Sequence, residues 1–224
     1  MTDIATERRT DPRLWAGIGF VVIFLAGLVA GLATTKGGWP VPTASPDEVL
    51  GFFTSNREAI AIIGFTQGLA AVPLVVFSAG LARTLGDRPA PQLIAAGALA
   101  AGTLLLSGAL TSTLTHPALT GQPALTSALA YLVFLIGGPA HVLALSLLVL
   151  TTAVAGRFSG RLPVWLSTFG FVVAALGLVS TLNLAVPALP SIAVAAFIPA
   201  GRFLGFVFIV AAVLTLRRSR VSAE

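Results

Sequence analysis

An all-α integral membrane protein is the fold class the sequence predicts, built as a six-transmembrane-helix bundle with a short external amphipathic helix. Three observations predict it. Of 224 residues, 56% are hydrophobic and only 9% charged, far less charge than a soluble surface carries. The apolar residues gather in six runs of about 20 or more, the length that crosses a hydrocarbon core about 30 Å thick. The basic residues divide unequally between the two ends of those runs, as they do when a membrane sets orientation.

The runs are approximately 14–34, 59–81, 91–115, 126–153, 163–186 and 193–216. Residues 1–13 precede them as a tail, and 217–224 follow as a basic tail. Gly86-Asp87-Arg88-Pro89, His116-Pro117 through Pro123, Gly156-Arg157 through Pro163, and Pro187 through Ser191 separate successive runs. Glycine and proline stop helices for different reasons, backbone freedom and a missing donor. The first run, preceded by Arg8, Arg9 and Arg13, reads as an uncleaved anchor, because it is too long for the apolar core of a signal peptide and five more runs follow.

The longest loop, 35–58, contains Ser45-Pro46-Asp47-Glu48, a capping box with proline at the first helical position. Val49, Leu50, Phe52 and Phe53 follow, so a short helix is expected there, resting on lipid headgroups or folded over the bundle mouth.

One side of the six spans carries Arg8, Arg9, Arg13, Arg83, Arg88, Arg157, Arg161, Arg217, Arg218 and Arg220; the other carries Lys36, Arg57 and Arg202. The split of ten against three predicts both termini in the cytoplasm of a cell with this chain in its plasma membrane. Trp15 and Trp165 fall at the cytoplasmic span ends and Trp39 just outside the first span, the headgroup levels that tryptophan favours. The net charge of +5 forms no stripe, so nucleic acid is not an expected partner. Membrane lipid is.

Much chemistry is excluded. With no cysteine there is no disulfide, thiolate metal site or cysteine nucleophile. None of the eight acidic residues lies inside a predicted span, which removes paired aspartates and the membrane carboxylates common in proton-coupled transport. Neither H-E-x-x-H nor G-x-S-x-G occurs. The only lysine, Lys36, is in a loop, so no Schiff base forms within the bilayer. No metal and no cofactor is expected; haem on His116 and His141, or a Ser107–His141 dyad, would need residues at unlike depths to meet.

The candidate ligand-binding residues are the polar groups within the spans, which in hydrocarbon must find partners. His141 follows Gly137-Gly138-Pro139, where proline removes a donor and clashes with the carbonyl of Leu135, so a kink and exposed carbonyls are expected. His141 either bonds one neighbouring carbonyl or serves a ligand. Arg202 lies roughly 10 Å below the outer edge of its span by residue counting. It either snorkels to headgroups or faces an anionic group in a cavity, with Glu58 the nearest protein partner. Gln67, Ser107 and Asn183 fall at similar depth. With Arg202 they form one polar layer if the helix rotations agree; otherwise they make ordinary interhelical hydrogen bonds. G-x-x-x-G at Gly27–Gly31, Gly64–Gly68 and Gly201–Gly205 reads as close helix packing, and secondarily as a homodimer surface.

The chain resembles a broad family of small bacterial six-helix membrane proteins of unknown function. The resemblance is carried by Phe77-Ser78-Ala79-Gly80-Leu81-Ala82-Arg83 at a helix end, by the Arg-x-Pro-x-Trp stretch Arg161-Leu162-Pro163-Val164-Trp165, and by Pro199-Ala200-Gly201-Arg202. It implies the architecture and no reaction. The functional expectation is therefore a multi-pass, non-enzymatic protein that binds a small apolar or anionic ligand, or lipid, in an outer-leaflet cavity. A small-solute transporter or channel working as an oligomer is one alternative, and a regulatory or scaffold subunit of a membrane complex is another.

Overall fold

The computed structural model describes residues 11–41, 43–185 and 196–218. Arg8, Arg9, Arg220 and Ser191, with the junction between the predicted fifth and sixth spans, lie outside them. Among the described residues there is no strand, and six helical stretches are long and apolar enough to cross a membrane.

A 3-10 turn, Pro12–Leu14, comes first among the described residues, with the Asp11 carboxylate accepting from the Arg13 N–H at 2.9 Å. It runs into α1 (Trp15–Thr34). Next come α2 (Pro46–Ser55), α3 (Arg57–Leu85) and α4 (Ala90–Thr113). The fourth span is α5 (Pro123–Leu135), a π-helical turn (Ile136–Ala140) and α6 (His141–Phe158). Then follow α7 (Val164–Ser180), the one-turn α8 (Leu182–Ala185) and α9 (Phe197–Arg218). Gly86, after α3, has φ +104, a value that only glycine adopts without strain, and it lets α3 turn sharply into α4.

The helices pack in a closed ring: α1 on α3, α3 on α4, α4 on α6, α6 on α7, α7 on α9, and α9 back onto α1. Phe20 and Phe24 of α1 meet Phe206 of α9 edge-on, with centroids 5.3 and 5.1 Å apart, at the closure. Lipid supplies no hydrophobic force between helices, so close approach of backbones and dispersion must hold the ring. The three G-x-x-x-G motifs within the spans named above do this inside the chain. Gly27 and Gly31 receive Thr66 and Ile63 of α3, Gly64 and Gly68 receive Gly108 of α4, and Gly201 and Gly205 receive Val142 and Leu145 of α6.

The basic residues gather at one end of the ring. Arg161 donates to the carbonyl of Thr84, the Arg217 guanidinium lies 4.2 Å from the Trp15 ring centroid, and the backbone of Arg13 lies against Gly80. The other end carries α2. Ser45 caps it as expected, its hydroxyl accepting from the Glu48 N–H at 3.3 Å. Val49, Phe52 and Phe53 are buried against Ile60, Leu114 and Leu119 in a second, smaller core. Of the two positions open to this helix, it takes the one folded over the bundle. The buried Asn56 holds it there, accepting from the Lys36 N–H at 2.6 Å and donating to the carbonyls of Lys36 (3.1 Å) and Phe52 (2.9 Å).

Candidate functional site

Pro139 cannot donate and crowds the preceding turn. The fourth span answers with π-helical register rather than a simple kink. The His141 N–H reaches Ile136 O, five residues back, as well as Gly138 O. In an α-helix it would instead serve Gly137 O. Displaced register of this kind leaves a carbonyl for a neighbour, and the Arg202 guanidinium of α9 takes it, donating from Nη2 to Gly137 O.

Arg202 is the charged member of a cavity of about 190 Å³ enclosed by α3, α4, the π turn, α5 and α9 beneath α2. Its Cζ stands 5.4 Å from the Phe24 ring centroid, and its Nε is shut away from solvent with no hydrogen-bond partner. Glu58, the partner that the sequence suggests, is exposed, and no ion pair joins it to Arg202. Gln67 and Ser107 line the same cavity. The Ser107 hydroxyl donates to Gln67 Oε1 at 3.2 Å, which leaves the Gln67 amide hydrogens unspent. A second chamber of about 230 Å³ adjoins this one, sharing Trp39, Phe53, Ala130 and Phe134 and extending past Tyr131 between α2 and α5.

Three of the five residues singled out in the sequence therefore meet. His141 does not line the cavity. It is fully buried against α4, with Nδ1 3.1 Å from Ala100 O and 3.3 Å from Thr103 Oγ1. A carbonyl can only accept, so Nδ1 carries a hydrogen, and the buried Nε2 has no partner. Ser107, bonded to Gln67, is not paired with it. Asn183 is also outside the cavity; its amide donates to Ser180 O at 2.8 Å near the end of α7. The aromatic walls, Trp39, Phe53 and Phe134, were not among the sequence candidates. Their signal was the apolar face of the capped helix and the tryptophan preceding it. Among the described residues no three His, Cys, Asp or Glu side chains come together as a metal site.

Fold and site together define a multi-pass, all-α membrane protein with an arginine-floored cavity beneath a surface helix. No family model, curated protein or solved structure matches the chain.

Proposed function

We propose that the protein binds a small anionic ligand in this cavity. The observation that carries the reading is Arg202, a guanidinium inside the helix ring with an unpartnered Nε and, among the described residues, no carboxylate to neutralise it. A charge withdrawn from water is costly unless it is paired and fully hydrogen-bonded. One carbonyl and an aromatic face meet only part of that need, and a bound anion meets the rest.

The test is native mass spectrometry of the gently purified protein beside Arg202→Ala and His141→Ala. A discrete bound mass is expected in the wild type and in His141→Ala, and not in Arg202→Ala. Only diffuse lipid adducts, equal in all three, would refute ligand binding and favour a structural or subunit role.

We also propose that the α2 end faces outward from a bacterial plasma membrane, with both termini cytoplasmic. The positive-inside asymmetry supports this, since Arg13, Arg83, Arg88, Arg157, Arg161, Arg217 and Arg218 belong to the end opposite α2. With no native cysteine, single cysteines report topology directly. Ala118→Cys is expected to label in intact cells, and Asp87→Cys and Ser159→Cys only after permeabilisation; the reverse pattern would overturn the orientation.

A further inference from the structure

We infer that the ligand is a compact carboxylate with an aromatic or short alkyl body, seated with its head on Arg202 and its body toward α2. This rests on the anion-binding reading and names its chemistry.

The head is limited by the donors. Among the described residues Arg202 is the only basic side chain lining the inner chamber, and the other polar side chains there are Gln67, Ser107, Thr111 and the indole of Trp39. A guanidinium offers a planar fork that suits the two oxygens of a carboxylate. One Nη2 hydrogen is spent on Gly137 O and Nε is shut away from the open space, so the carboxylate meets the fork at its Nη edge, and the Gln67 amide adds a neutral donor. One cation balances one negative charge. A phosphate brings roughly 1.5–2 charges and three strong acceptor oxygens, and among the described residues the chamber has no second cation to balance them.

The body is limited by walls and volume. Trp39, Phe53, Phe134, Ile63 and Val133 make most of the inner surface apolar. A dry apolar cavity of about 150 Å³ accommodates benzene, so about 190 Å³ holds a ring or short chain together with its carboxylate. The adjoining chamber shares the three aromatic walls and continues between α2 and α5, so a longer body extends that way and not toward the basic end. A diacyl lipid does not fit whole in either chamber.

The chain's own tryptophan reports on this. Trp39 lines both chambers, while Trp15 and Trp165 are exposed at the basic end. In a Trp15→Phe, Trp165→Phe protein Trp39 is the sole tryptophan, and it is excited selectively on the red edge of the absorption band. Its emission is titrated with benzoate, octanoate, acetate, inorganic phosphate and benzyl alcohol. Benzoate or octanoate is expected to perturb it at least tenfold more tightly than acetate, phosphate or benzyl alcohol. Benzoate ahead points to a ligand arriving from water, and octanoate ahead to one dissolved in the membrane. Gln67→Leu is expected to weaken the carboxylate several-fold and Arg202→Gln to abolish its effect. Because the ligand comparison is made on one folded protein, it does not depend on either variant folding. Phosphate binding as tightly as benzoate would overturn the carboxylate assignment and leave the anion site standing. Benzyl alcohol matching benzoate, or no response to any anion with no bound mass in the native spectrum, would overturn the anion site too.

Discussion

Gly108→Ala is expected to lower the thermal midpoint of the detergent-solubilised protein more than any other single-methyl change on α4. A Cβ at Gly108 would stand 2.6 Å from Gly64 O and 2.7 Å from Gly68 N, both backbone atoms of α3. No side chain can rotate away to relieve that contact, so the two helices must separate along their longest interface. Overpacking of this kind costs about 1–3 kcal/mol and occasionally more, and here the separation also forfeits dispersion contacts above and below the crossing. Gly102→Ala is the control. It lies on the same helix, and a Cβ there meets nothing within 4 Å, so the gain in helix propensity, up to about 1 kcal/mol, should leave its midpoint unchanged or slightly raised. Circular dichroism melts of both variants in one detergent decide the matter. Coincident curves would mean that α3 and α4 do not approach so closely.

His141→Ala is expected to destabilise the protein by about 2–4 kcal/mol, in the range for emptying a fully buried site, without touching ligand affinity. The imidazole is 0% exposed and ties the centre of the fourth span to α4 through Ala100 O. His141→Leu should recover much of the loss. It refills the space and removes the unpartnered Nε2, while Ala100 O keeps the Thr103 hydroxyl at 3.0 Å. The readouts are unfolding midpoints in a denaturing-detergent titration, paired with native mass spectrometry. Were His141→Leu stable but unable to retain the bound mass, His141 would belong to the binding site after all.

The spans were legible because hydrocarbon imposes length and excludes charge, and both leave marks in a linear sequence. The helices Arg57–Leu85 and Ala90–Thr113 begin and end within a few residues of the turns that Gly86 and His116-Pro117 mark. Depth was legible for the same reason, which is why Gln67, Ser107 and Arg202 could be grouped by counting residues. Rotation about each helix axis was not. In a soluble helix the apolar face reveals it, but a span is apolar all round. Asn183, grouped with the cavity by residue counting, instead donates to Ser180 O near the end of α7 and does not line it. The fate of α2 was open for a related reason, since Phe52 and Phe53 satisfy themselves equally on lipid or on Leu114 and Leu119. Local rules also ran out at Pro139. They called for a disturbed turn, but the donor that takes the Gly137 carbonyl, Arg202, comes from 65 positions away.

At about 1.5 Å per residue, the 36 residues of Pro123–Phe158 make a rod roughly 54 Å long. Hydrocarbon and headgroup layers together measure about 40–45 Å, and a typical tilt of about 20° shortens the rod by only a few ångströms. With Arg157 and Arg161 held at one headgroup layer, the beginning of α5 rises above the other, bringing α2 and its aromatic edge with it. Seated in that way, the molecule would stand higher at α5 than at α1, whose helix is only 20 residues long. A solute approaching from water would then meet the Trp39–Phe53 edge before lipid, and benzoate ahead of octanoate in the Trp39 titration is the result expected of such an aqueous doorway.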